Sequence, residues 1–138
     1  MSKKVLIFGT FDGLHSGHLS LLKQAKKRGD KLAVIVARDA TVKAVKGRLP
    51  QANENDRLQD IKLIKVVDEA YLGDKIDPYN SVRRVNPDII CLGYDQQVFT
   101  EKLTEEFPDI KVIRLKPYKP EIYKSSRINN LHRKNVRS

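Results

Sequence analysis

Short apolar runs, bounded by charged or turn-forming residues, recur along this chain with amphipathic stretches between them. Val5-Leu6-Ile7-Phe8 is the first run and Leu32-Ala33-Val34-Ile35-Val36-Ala37 the second. Both are continuous rather than alternating, and both have the length of a strand buried on its two faces. Asp68 to Leu72, Ile89 to Leu92 and Lys111 to Leu115 are further strand candidates. Helical spacing fills the gaps. Leu19, Leu22 and Ala25 form one inward stripe; Leu58, Ile61 and Ile64, with the stem of Lys65, form another. Cap signals frame these helices. Ser16 is placed to cap the first, which Gly29 ends, and Asn53 caps the next, with Asp56 at its third position. Asp77 followed by Pro78 opens a helix to about Val85. Thr100 to Phe107 reads as a helix, and a last one begins near Ser125 or Ser126. Two polar stretches, Arg38 to about Gln51 and Lys116 to Lys124, read as loops.

Strands that alternate with helices and are apolar throughout predict an α/β fold: a parallel sheet covered on both faces, Rossmann-like and doubly wound. No internal repeat, low-complexity tract or linker marks a second domain, so residues 1–138 read as a single domain. Residues 131–138 are a basic tail whose order the sequence leaves open.

Composition narrows the setting. The single cysteine, Cys91, lies inside an apolar strand, so no intramolecular disulfide is available and a reducing cytoplasm is expected. Met1-Ser2-Lys3-Lys4 leads into only four apolar residues, too few for a signal peptide, and no window approaches a membrane span. The net charge of +10, from 27 Lys+Arg against 17 Asp+Glu, favours anionic ligands. Nucleic acid as the main ligand is the lesser reading, because no recognised binding motif accompanies the charge.

The candidate chemistry is concentrated behind the first strand, in Gly9-Thr10-Phe11-Asp12-Gly13-Leu14-His15-Ser16-Gly17-His18. Glycines there permit a sharp turn, and His15 and His18 would share one side of the following helix's first turn. Two imidazoles, free backbone N–H groups and a positive helix dipole converge at a strand's end, where a phosphate is readily held. A zinc site would need a third ligand at a recognised spacing, and none is present.

This segment resembles the GTFD-x-x-H-x-G-H signature of the cytidylyltransferase-like nucleotidyltransferases. The resemblance implies transfer of a nucleoside monophosphate from a triphosphate to a phosphorylated acceptor, with release of pyrophosphate. It assigns His15 and His18 to the phosphates, and Gly9, Thr10, Phe11 and Gly17 to the nucleotide-binding turn. Lys46 matches a family lysine that reaches the triphosphate, with Lys43 and Arg48 as neighbouring candidates. Arg57 matches an arginine near the acceptor or nucleotide phosphates, and Asp12 and Asp39 join it as candidates for such contacts. Gly93 and Asp95 occupy a Gly-x-Asp position expected to meet the nucleotide. Ser125, Ser126 and Arg127 resemble a second signature that grips the β- and γ-phosphates, although Lys124 stands where the family usually has serine.

Three stretches are most similar to the compact, stand-alone FAD synthetases of this family: Val36 to Lys43, Lys46-Gly47-Arg48 and Leu92 to Gln96. They imply adenylyl transfer from ATP to FMN, with Mg²⁺ on the triphosphate and no metal assigned to protein ligands. A CTP-dependent enzyme acting on glycerol 3-phosphate or another small phosphorylated alcohol is the alternative, and a basic nucleotide- or RNA-binding module is the non-enzymatic one. A homodimer is expected by resemblance alone.

Overall fold

The computed structural model describes residues 2–93 and 102–116. Along them run β1 (Lys4–Gly9), α1 (Ser16–Lys26), β2 (Lys31–Val36), α2 (Asp39–Lys46) and α3 (Glu54–Lys62). After these come β3 (Glu69–Leu72), α4 (Pro78–Val85), β4 (Ile89–Leu92), α5 (Leu103–Glu106) and β5 (Lys111–Arg114). The strands form one five-stranded sheet in the order β3-β2-β1-β4-β5, and every pairing is parallel.

The continuous apolar runs have the predicted cause. Val5, Ile7, Leu32, Val34, Val36, Ile89 and Cys91 face one side of the sheet, where Leu19, Leu22 and Ala25 of α1 and Ile61 of α3 cover them. Leu6, Phe8, Ala33, Ile35, Ile90 and Leu92 face the other side, under Val82 and Val85 of α4 and Leu103. Three layers result, with two cores separated by the sheet. At the strands' entry, carboxylates take up otherwise unpaired N–H groups. Asp30 accepts from the Lys3 amide at 2.7 Å, Asp88 from Lys4 at 2.9 Å and Asp68 from Leu32 at 2.8 Å. The strands' exit end is left for chemistry.

Several expectations are corrected. Residues 39–46, read as loop, form α2: a single buried side chain, Val42, holds the helix to the core, too faint a signal for periodicity to show. The helix expected over 100–107 is confined, within the described residues, to Leu103–Glu106. The α3 helix stops at Lys62, so Ile64 packs from the turn beyond it and the Lys65 side chain is exposed. The cap of α1 is His15, not Ser16, which is the first helical residue. The final helix near Ser125 lies outside the described residues, as does the 131–138 tail.

Candidate active site

Chain order reverses around β1: β2 lies on one side of it and β4 on the other, so a crevice opens where the exits of β1 and β4 diverge. The turn after β1 fills this place. Gly9 closes the strand and Phe11 folds back over it, its ring so near that a Cβ on Gly9 would lie 2.5 Å from the ring. This bend holds Phe11 at φ 55°, in the left-handed region that a bulky residue enters only when its surroundings compel it. Burial of the Phe11 ring is the compensating force. The same ring meets His18 edge-on, with centroids 5.5 Å apart.

The two histidines are locked by the start of α1. His15 caps the helix through Nδ1, which accepts from the Gly17 amide at 3.0 Å; the His18 Nδ1 accepts from the His15 amide at 3.2 Å. Their rings stack at 3.9 Å between centroids. An imidazole nitrogen that accepts a hydrogen bond carries no proton, so these bonds assign the proton of each neutral ring to Nε2. Both rings thereby become fixed donors. Burial lowers the His18 pKa to about 4, with the neighbouring His15 and Lys46 acting in the same direction and Asp12 opposing them. His18 is neutral throughout the physiological range.

The site's other wall is α2. Lys46 is exposed in its last turn, and no carboxylate pairs with it among the described residues. Arg57 fixes the opposite end of this helix. Its side chain is fully buried, and its guanidinium donates to Ala52 O at 2.9 Å, Thr10 O at 2.8 Å, Ala37 O at 2.7 Å and the Asp39 carboxylate at 2.7 Å. One side chain thus ties the exits of β1 and β2 to the start of α2. Asp39 receives a second anchor, its amide donating to Glu54 at 2.9 Å. Asp12 accepts from the Gln51 and Ala52 amides at 2.8 Å and 3.0 Å, and these N–H groups, Ala52 first, hold its carboxyl below the usual range.

The expected site residues therefore divide. Gly9, Thr10, Phe11, Gly17, His15 and His18 gather at the exit of β1, and Lys46 stands close enough to His18 to disfavour its charge. Gly93 follows β4 across the crevice, where its carbonyl accepts from Arg114 at 2.8 Å. Of the three expected as phosphate or acceptor contacts, Arg57 spends its guanidinium inside the protein, while Asp39 and Asp12, each still partly exposed, join it in bracing the turn. Sequence reasoning missed this bracing network, because nothing in spacing distinguishes a buried helix arginine from an exposed one. Asp95, Ser125, Ser126 and Arg127 lie outside the described residues.

This donor set suits anionic oxygen. Both Nδ1 atoms are engaged by the backbone, and among the described residues no three His, Cys, Asp or Glu side chains gather in a way that could hold a metal ion. Among the described residues, no helix is long and apolar enough to cross a membrane.

A parallel sheet of this order, with a histidine-capped helix at its switch point, is the architecture of a nucleotidyltransferase, and similarity to known proteins gives the class. The profile of the Cytidylyltransferase-like family matches residues 6–131, and the chain belongs to that family. Among individual relatives, the FAD synthase of Methanothermus fervidus is 49% identical over 118 residues, covering 80% of this chain and 81% of that protein. The FAD synthase of Thermoplasma volcanium is 41% identical over 129 residues, covering 91% of this chain and 90% of its own length. A crystal structure described as the lipopolysaccharide core biosynthesis protein of Thermoplasma volcanium superposes with a TM-score of 0.81 at 41% identity, over 86% of this chain and 100% of that one.

Proposed function

We propose that this protein transfers AMP from ATP to FMN, giving FAD and pyrophosphate. The observation that carries the choice of substrates is the group of relatives named FAD synthase, at 41–49% identity over most of the chain. The site's geometry carries the class of reaction.

An oxygen of the FMN phosphate forms a bond to the α-phosphorus of ATP while the bond from that phosphorus to the β-bridging oxygen breaks. Pyrophosphate leaves with the electron pair. The attacking oxygen is already anionic near neutral pH, so no side chain needs to take a proton from it. What the protein must supply is alignment and donors placed where negative charge grows. The Nε2–H groups of His15 and His18 serve as such donors, with His18 toward the α-phosphate. Lys46 adds a positive charge over the triphosphate, and Thr10 and Phe11 offer turn amides. Neutral imidazoles suit this task, since each holds one proton in a fixed direction and neither competes as a nucleophile through Nδ1.

From the family resemblance come roles for five further residues: Gly93 and Asp95 toward the nucleotide's sugar or base, and Ser125, Ser126 and Arg127 toward the β- and γ-phosphates. Mg²⁺ as the cation on the triphosphate, a homodimer and a cytoplasmic location complete the proposal. The test crosses ATP and CTP with FMN and glycerol 3-phosphate, reading pyrophosphate and the nucleotidylated product together. FAD formed in step with pyrophosphate from ATP and FMN is the expected result. A product from CTP and glycerol 3-phosphate would move the protein to the cytidylyl reaction, and no turnover with salt-dependent RNA binding would make it a binding module.

A further inference from the structure

Among the described residues, two large apolar side chains near this site stay exposed, Val45 and Leu49. On α2, Val42 is 4% exposed and packs into the core, yet Val45, one turn later on the same side of the helix, is 53% exposed. The inward face of α2 therefore runs past the core formed by the described residues. Gly47, at φ 80°, then reverses the chain, and Leu49 follows at 58% exposure. Both ends of this overhang are fixed. Asp39 is held through Arg57 to the Thr10 carbonyl, and residues 51 and 52 are held by Asp12. Val45 and Leu49 are thus fastened beside the histidine turn, with the cations Lys46 and Arg48 between them.

We propose that Val45 and Leu49 form an apolar lip that takes the isoalloxazine ring of FMN, while Lys46 leads the phosphate end of that substrate toward the histidine pair. The proposal rests on the FAD-forming reading above. The lip follows β2, on the flank of β1 away from β4. A nucleotide that occupies the switch point between β1 and β4 leaves this flank to the acceptor. Apolar side chains interleaved with cations complement one kind of acceptor: a flat apolar ring system carrying a phosphate. A small phosphorylated alcohol has nothing to place against Val45 or Leu49. A second copy of the chain is the poorer occupant, since two side chains fall far short of the roughly 1,200 Å² that a stable pair buries.

The experiment measures FMN binding by flavin fluorescence, ATP binding by calorimetry and FAD formation, for the wild-type protein and for the double variant Val45→Thr/Leu49→Gln. The expected result is FMN affinity weakened about tenfold with ATP affinity unmoved, as loss of apolar contact predicts. Leu49→Trp, a separate substitution at an exposed position, should quench bound FMN more deeply than the wild type does. Unchanged FMN affinity in the double variant of a protein that makes FAD overturns the lip and leaves the transferase reading intact. A dimer that falls to monomer on sedimentation while FMN affinity holds would assign the lip to a second copy and also overturns it. Absence of FAD from the wild type removes the functional reading first, and the lip with it.

Discussion

The Arg57 guanidinium lies 2.7 Å from the Asp39 carboxylate, and this ion pair couples the interior of the fold to the wall of the active site. Arg57 is buried, whereas the Asp39 side chain keeps about a third of its surface exposed. Replacing Arg57 with Met strands three carbonyls and one carboxylate, which should cost on the order of 3–5 kcal/mol. Arg57→Lys keeps the charge but loses the fork that spans Thr10, Ala37 and Ala52, so it should recover only part of that. Asp39→Asn should cost about 1 kcal/mol, because the carbonyls stay paired. Urea-unfolding midpoints of the three variants check the order.

His15 caps α1 through Nδ1, and the proposed mechanism uses its Nε2, so the two roles can be separated. His15→Ala loses both the helix cap, at about 1 kcal/mol, and the phosphate donor. Asn is a good cap, so His15→Asn should restore the thermal midpoint without restoring turnover. His18→Ala should reduce turnover on the order of 100- to 1000-fold, the usual loss for one transition-state donor. Thermal melts run beside pyrophosphate assays decide it.

The pH dependence of stability carries the mark of His18. In the unfolded chain an ordinary histidine takes up a proton near pH 6.5, which the folded ring refuses until about pH 4. Stability from this group is therefore complete above pH 6.5 and declines as pH falls toward 4. The Asp12 carboxyl, lowered by the Ala52 and Gln51 amides, acts in a separate window, adding stability that is lost only as pH drops below the ordinary carboxylate range. Denaturation midpoints from pH 4 to 7 should slope for the wild type and flatten in His18→Asn.

Steric closeness of Gly9 and Phe11 gives a fourth test. Gly9→Ala places a methyl 2.5 Å from the Phe11 ring and must displace it from His18, at about 1–3 kcal/mol of overpacking and with loss of activity. Adding Phe11→Leu should recover some stability in the double variant. A strictly additive loss in unfolding free energy would contradict the contact.

The framework was legible in the sequence because its signals were strong and local. Five strand candidates became five parallel strands, and the decapeptide from Gly9 to His18 sits where a strand-turn-helix signature must. The helix α2 was hidden, since it owes its place to Val42 and to ion pairs with residues far along the chain. Arg57 was located but its role was not: burial of a charged side chain depends on carbonyls that only the folded sheet brings together. Ser16 was taken for the cap because hydroxyls commonly fill that position, whereas the imidazole of His15 supplies the acceptor here.

Lys46 bears on the electrostatics of His18, so Lys46→Met should raise the His18 pKa from its depressed position while leaving the fold unchanged. Proton NMR titration of the histidine rings reads this directly, and Lys46→Arg should keep the wild-type value.

In the mechanism proposed above, two neutral rings present Nε2–H to the triphosphate. Long-range ¹H–¹⁵N NMR of the histidine side chains at pH 7, without and with a non-hydrolysable ATP analogue, tests it most directly. Both Nδ1 atoms should be unprotonated in the free protein, and both Nε2 resonances should shift when the analogue binds. A proton on either Nδ1, or Nε2 signals that ignore saturating nucleotide, would contradict it.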